Sequence, residues 1–353
     1  MIKDKKLDSY QVAMEKLERG TPPSEDSGFL GANLDPADAK IVAIPSPWDV
    51  TTSYRPGTSR GPEAIIAASH QLDLDDGSFG KVYRAGISFL PHPESLERLN
   101  TALRIRAEKV MADLADAGDL TAVNEGCATL NRYVREAAIK ALDHGAIAAV
   151  VGGDHASPLG LIQALGERHP DGFGVLHFDA HHDLRDRYEG FNFSHASIFH
   201  NVMESVPAVS RLVQVGIRDF CAEERDYMNN LGQRGTVFYQ RDLFKRKARG
   251  ESWDSICKDI VAQLPLKVYI SFDIDGLDPA CCPSTGTPVP GGLTFEEAVY
   301  LLECLAESGR IIIGFDLCEV SPDPTRESEW DANVGCRMLY KLCGLTAVTQ
   351  KLL

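Results

Sequence analysis

Short runs of Val, Ile, Ala and Phe recur along the chain from residue 39 onward, at 41–45, 146–153, 173–181, 211–217, 267–275 and 310–317. Between them lie stretches whose apolar residues return every three or four positions, at 96–117, 131–144, 158–169, 254–263 and 294–308. The runs suit strands buried on both faces, and the longer stretches suit amphipathic helices. Strands alternating with helices predict one α/β domain over residues 38–353, with a central parallel sheet covered on both sides. Residues 1–37 read differently. A helical segment at 10–19 and a Pro/Gly/Ser-rich stretch at 21–31 make an N-terminal arm rather than a domain.

Charge narrows the class of partner. The chain carries 51 acidic and 36 basic side chains, a formal charge of −15. Nucleic acid and anionic membrane surfaces both require a basic footprint, so neither is expected, whereas a small cationic substrate fits the sign. The nine cysteines are scattered, with no Cys-x-x-Cys pair, which points to a reducing, cytoplasmic compartment. No apolar stretch is long enough for a signal peptide or a membrane span.

The chemistry gathers where the strand-like runs end, which is where parallel sheets bind ligands. One run ends Gly152-Gly153-Asp154-His155, another Asp179-Ala180-His181-His182-Asp183, and a third Asp273-Ile274-Asp275-Gly276-Leu277-Asp278-Pro279. In extended backbone, residues two apart face the same side, so Asp179, His181 and Asp183 are expected to converge, as are Asp273 and Asp275. Taken singly, a strand-end His is usually structural and an Asp-x-Asp usually a turn. Together with His155 they put four carboxylates and two imidazoles in one place. That much negative charge is tolerable in a small cavity only with cations, and two divalent ions would balance it. Oxygen and nitrogen donors without thiolate suit Mn²⁺, Ni²⁺, Co²⁺ or Fe²⁺.

These three motifs, with Gly286-Thr287-Pro288 and Gly291-Gly292-Leu293-Thr294 after them, resemble the ureohydrolase (arginase/agmatinase) superfamily over about residues 40–345. The resemblance implies a three-layer α/β/α fold and assembly as a homo-trimer or homo-hexamer, or as a mixed oligomer with a homologous subunit. It also implies residue roles. His155, Asp179, Asp183 and Asp273 would hold one metal, and Asp179, His181, Asp273 and Asp275 the other, with Asp179 and Asp273 bridging. Two such ions would make a shared water acidic enough to attack a guanidinium carbon near neutral pH, with Asp183 orienting it. Glu319, in Asp316-Leu317-Cys318-Glu319-Val320-Ser321-Pro322, matches the guanidinium-binding carboxylate, and His195, in Ser194-His195-Ala196, the proton-shuttling histidine. Thr287 falls on the substrate side. His182 and His200 read as structural.

The substrate's other end is read from what surrounds His195. Arginases place an Asn two residues before this histidine, where Phe193 stands here, and agmatinases an acid where Ser194 stands. Formimidoylglutamases need a cationic anchor, for which Arg185 and Arg187 are near. The run from Pro45 to Ile65, with Trp48-Asp49-Val50-Thr51, resembles the agmatinase-like branch that includes guanidine and metformin hydrolases, which often use nickel. The expectation is therefore hydrolysis of guanidine or a small N-alkylguanidine, with Trp48 either lining a tight pocket or packing in the core. Agmatinase or another guanidino-acid or guanidino-amine ureohydrolase is the alternative, followed by a formimidoylglutamase. A non-catalytic partner subunit would have lost ligands, and a deacetylase-like enzyme of this fold would need only one metal.

Overall fold

The computed structural model describes residues 8–24 and 27–353; residues 1–7 and 25–26 of the N-terminal arm lie outside the described residues. The described residues contain one eight-stranded parallel sheet. Its strands are β1 (Ile41–Pro45), β2 (Ile87–Phe89), β3 (Ile147–Val151), β4 (Phe173–Phe178), β5 (Val209–Val215), β6 (Gly235–Phe238), β7 (Lys267–Asp273) and β8 (Ile311–Cys318). They lie in the order β2-β1-β3-β8-β7-β4-β5-β6. Each apolar run of the sequence becomes a strand. Two strands, β2 and β6, were not expected, because three or four residues carry too little periodicity to stand out.

Helices cover both faces. Alternate strand residues divide between two cores, as the pleat requires. Val42, Ala148, Val150 and Val175 face a layer built from α3 (Glu94–Met111), α4 (Asp119–Asp143), α5 (Leu159–Arg168) and α6 (Ile198–Ser205). Ala43, Val151, Leu176 and Phe272 face α2 (Gly61–Ala68), α9 (Trp253–Ala262), α10 (Phe295–Glu307) and α11 (Trp330–Thr349). The arrangement is the expected three-layer α/β/α fold. Before β1, helix α1 (Ser9–Glu18) buries Ala13, and Phe29 and Leu30 enter the second core, while α7 (Ala222–Asn230) and α8 (Gln240–Ala248) precede and follow β6.

Two helical misses have physical causes. Helix α4 begins well before the expected residue 131, its early turns masked by Gly126. A Cβ at Gly126 would stand 2.0 Å from Leu103 Cδ1, so the glycine is what lets α3 and α4 approach. Helix α11 is buried on nearly all sides and so carries no amphipathic period to read. No helix of the described residues is long and apolar enough to cross a membrane.

Candidate active site

Four adjacent strands at the middle of the sheet, β3, β8, β7 and β4, deliver the chemistry at their carboxyl ends. His155 follows β3, Glu319 follows β8, Asp273 ends β7, and Asp179 follows β4. The ligand residues converge, but not through strand alternation. β4 stops at Phe178, and a 3-10 turn begins at Ile274. Each motif instead folds as an Asx turn. The Asp179 carboxylate accepts the His181 amide (2.6 Å), and the Asp273 carboxylate accepts the Asp275 amide (2.8 Å). The short acceptor side chain bends the backbone so that residues i and i+2 face one locus.

Two donor groups result, and they share Asp179. His155 Nδ1 lies 3.1 Å from Asp179 Oδ2, 3.0 Å from Asp183 Oδ2 and 3.3 Å from Asp273 Oδ2. His181 Nδ1 lies 3.1 Å from Asp275 Oδ2 and 3.4 Å from Asp179 Oδ1. Asp179 thus turns one oxygen to each group. Metal–ligand bonds of roughly 2.1 Å put neighbouring donor atoms about 3 Å apart, so these separations fit coordination edges. The charge fits as well. Burial, with Asp179 beside it, pushes Asp183 up to about 7, and burial with Asp275 and Asp179 pushes Asp273 well above the carboxylate range. Arg218, whose guanidinium lies near Asp275, Asp179 and Asp273, spends its donors on the backbone carbonyls of Gly216, Asp275, Leu277 and Val289. Divalent cations answer the surplus of buried carboxylates better than any side chain present.

Behind the ligands runs a polar row. Gln214 on β5, His177 on β4, Ser271 on β7 and Asp316 on β8 are in register across the sheet, and all four are fully buried. His155 Nε2 meets Ser271 Oγ at 2.9 Å, Tyr269 Oη donates to Asp316 (2.6 Å), and His177 Nε2 reaches Asp179 Oδ2 (2.7 Å). The sequence reading passed over these residues. The available signal was a single polar letter inside an otherwise apolar buried strand.

A family model described as the arginase family matches residues 39–344.

The chain belongs to the arginase family.

It is 33% identical over 313 residues to an N(1)-aminopropylagmatine ureohydrolase of Thermus thermophilus, covering 87% of this chain and 90% of the relative. It is 30% identical to a guanidinobutyrase of Pseudomonas aeruginosa, covering 91% and 90% of the two chains. Among solved structures, proclavaminate amidino hydrolase of Streptomyces clavuligerus shares the fold, with a TM-score of 0.72 at 23% identity and coverage of 92% and 98%. Membership of the arginase family makes this protein a hydrolase of C–N bonds in linear amidines.

The remaining residues fall into place around the arginase-family centre. Glu319 adopts a left-handed backbone, φ 63°, as does Asp183 at 55°. Such conformations cost about 1–3 kcal/mol and persist only where the surroundings enforce them. Glu319 Oε1 accepts the His155 amide (3.0 Å), while Oε2 is buried with no hydrogen-bond partner. Burial, together with Asp154 and Asp275, pushes this carboxyl well above its ordinary range. His195 is buried beside the cleft, and burial with His181 and His155 near it pushes its imidazole down to about 3. Its amide donates to Thr51 Oγ1 (3.3 Å), whose hydroxyl also reaches Asp154 (3.2 Å).

A cleft of about 280 Å³ opens over His181, Asp183 and His195, and Thr287 lines it, 3.4 Å from Asp275 Oδ2. Ser53, Arg185, Tyr188, Ala196, Asp219, Phe220, Cys221 and Glu224 complete the wall. Apart from Arg185 and Ala196, no motif distinguished them in the sequence. Trp48 does not line the cleft. It is fully buried in the core with α3 and α4, and its carbonyl accepts the Asp154 amide (2.7 Å). A Cβ at Gly153 would stand 1.8 Å from that carbonyl oxygen, so the pair fixes the turn that presents His155. His182 is fully buried in hydrogen bonds to Gln214 and Tyr239, and His200 packs against Tyr227 near the surface.

Proposed function

We propose that this protein hydrolyses the guanidino C–N bond of guanidine or a small N-alkylguanidine, releasing urea and ammonia or an amine, with two divalent ions, Mn²⁺ or Ni²⁺, bound by His155, Asp179, His181, Asp183, Asp273 and Asp275. The observation that carries it is Glu319 Oε2, a buried carboxylate oxygen without a partner next to the two donor groups. A guanidinium offers the planar N–H donors that such an oxygen lacks. When bound, the ions supply a water acidic enough to act as hydroxide near neutral pH. The side chains do the rest. Glu319 holds the guanidinium and orients its carbon, which contributes through positioning. Asp183, on the cleft floor, accepts a hydrogen bond from the attacking oxygen. His195, neutral at rest, relays a proton: it takes one from the attacking oxygen and gives one to the departing nitrogen as the C–N bond breaks.

The small substrate is favoured by the residue two before His195. Phe193 is packed against the core and presents no polar tail-binding group. Trp48, being in the core, lends no support. A second reading has one specific observation behind it. Arg185 lines the cleft with its guanidinium over Tyr188 at 4.8 Å and Nε 3.7 Å from Glu224, which leaves donors free for a substrate carboxylate. A guanidino acid would use them, and one relative is named a guanidinobutyrase. Agmatine-like substrates are the further alternative. A panel of guanidine, metformin, agmatine, arginine and 4-guanidinobutyrate on Mn²⁺- or Ni²⁺-loaded protein, read as urea and amine release, decides among them. Turnover of guanidine or metformin above the rest is expected. Fast turnover of agmatine, arginine or 4-guanidinobutyrate with none of guanidine or metformin would overturn the proposal.

A further inference from the structure

We infer that Gln214 and His177 form a hydrogen-bond relay of fixed polarity that presets Asp179 as the shared ligand of the two donor groups, making both of them positioning residues for the metal centre. The inference rests on the metal reading of the Asp179 cluster.

The direction of the relay follows from one group that can only accept. Gln214 Nε2 lies 2.8 Å from the carbonyl oxygen of His182 and 2.8 Å from His177 Nδ1. A backbone carbonyl has no proton to give, so the amide nitrogen, not the amide oxygen, faces it. Both protons of that nitrogen are then spent, one on the carbonyl and one on His177 Nδ1. His177 Nδ1 is therefore an acceptor, the ring is neutral, and its proton sits on Nε2. From there it donates to Asp179 Oδ2 at 2.7 Å. On the other side, Gln214 Oε1 accepts from His182 Nδ1 (2.5 Å), which leaves His182 Nε2 to accept from Tyr239 Oη (3.3 Å). Every member from Tyr239 to Asp179 has its role set.

A different use of His177 competes with this one. Donor atoms of His155, His177, Asp179 and Asp183 all lie within 4.8 Å of one another, as a four-ligand metal site would have them. A ligating imidazole needs a lone pair on the nitrogen that faces the metal. The relay occupies that position on His177 with a proton. His155 differs: its Nδ1 faces three carboxylates and its Nε2 faces Ser271 Oγ, so an ion that takes the place of the Nδ1 proton leaves the ring's other proton on Nε2, where Ser271 Oγ can accept it. The fold supports the same division. His177 and Gln214 are cross-strand partners on β4 and β5, one residue row beneath the ligands, and Phe199 packs on the His177 ring at 4.1 Å between centroids. That packing leaves the ring little freedom to turn. Groups that orient a ligand in this way typically change metal affinity by roughly 10–100-fold when removed.

The test has a structural arm and a binding arm, both on the full-length protein. ¹⁵N NMR of the histidine side chains in metal-free protein should show His177 protonated at Nε2 and not at Nδ1. Gln214→Glu, whose ionised carboxylate would accept where the amide nitrogen donated, should bring a second proton onto Nδ1 while Nε2 keeps its own for Asp179. In calorimetric Mn²⁺ titrations, His177→Gln keeps a donor at the Nε2 position and should bind within a few-fold of wild type. His177→Leu has no donor and should bind roughly 10–100-fold more weakly. A wild-type His177 protonated at Nδ1, or a His177→Gln protein as weak as His177→Leu, would overturn the relay. Should wild-type protein bind no divalent ion, the metal reading fails by itself, while the NMR still tests the proton's place.

Discussion

At one end of the site every carboxylate oxygen is provided for, and at the other one is left bare. Asp179 receives the His181 amide and ring on Oδ1 and the rings of His177 and His155 on Oδ2. Although burial works against it, the imidazoles of His177, His155 and His181 hold its pKa well below the carboxylate range. Glu319 is as deeply buried, yet one oxygen has a single amide and the other has nothing, and burial with Asp154 and Asp275 drives its pKa the opposite way. Both belong to the same cluster, at the ends of β4 and β8 with β7 between them. The satisfied end is a scaffold that holds a charge ready, and the unsatisfied end is a surface awaiting a cationic partner.

Substitutions at the two ends should therefore fail differently. Asp179→Asn removes the shared ligand, so both ion binding and turnover should fall by more than the roughly 100-fold limit of an outer-shell change. Metal analysis alongside a urea assay checks it. Retained ions would break the contrast. Glu319→Gln should keep its ions and melt no lower than wild type. Loss of one partner from a buried, hydrogen-bonded charge pair should cost turnover about 2–5 kcal/mol, roughly 30- to 5,000-fold. Loss of ions from this variant would show that the two ends are not distinct.

A smaller effect follows from the carboxyls pushed upward. Asp154 and Asp183 both stand at about 7 in the folded protein, chiefly through burial. Their unfolded values lie near 4. The raised groups contribute stability that is full below about pH 4 and is lost as pH rises through about 7. The depressed Asp179 adds no change in that window, because it is ionised throughout it, whereas the imidazoles of His177 and His195, pushed down by burial to about 4 and about 3, add stability as pH rises to about 6.5. Above about pH 6.5 only the raised groups still titrate, so metal-free protein should melt at falling temperature from about pH 6.5 to 8, and ion-loaded protein should lose much less. Parallel calorimetric scans with and without chelator measure it.

The smallest change concerns Trp48. Replacement by phenylalanine should lower stability by about 0.5–3 kcal/mol through lost core packing. The KM of the preferred substrate should stay unchanged, since the indole is sealed beneath the cleft. A shifted KM without a shifted melting temperature would return Trp48 to the pocket wall.

That residue marks where the sequence stopped being legible. The ligand motifs could be read because their residue types occur at fixed spacing within one stretch of chain, even though Asx turns rather than pleating bring them together. Six of the eight strands could be read because each is a short apolar run with a helix behind it; β2 and β6 were too short. Trp48 could not, because a buried indole and a pocket indole have the same neighbours in sequence and differ only in what β3 and α4 place around them. Gln214 and His177 become a pair only through the register of β4 and β5, which no local pattern encodes. Arg185 and Tyr188, from the loop after β4, meet Phe220, from the loop after β5, at the cleft for the same reason. Helix α11 escaped by being buried all round.

The most direct test of the account is a titration of metal-free protein with Mn²⁺ or Ni²⁺, in which bound ions and urea release from a guanidino substrate are followed together. Two ions per chain are expected, with turnover appearing only as the second is taken up. Full turnover with a single ion bound, or two ions bound with no guanidino substrate cleaved, would contradict it.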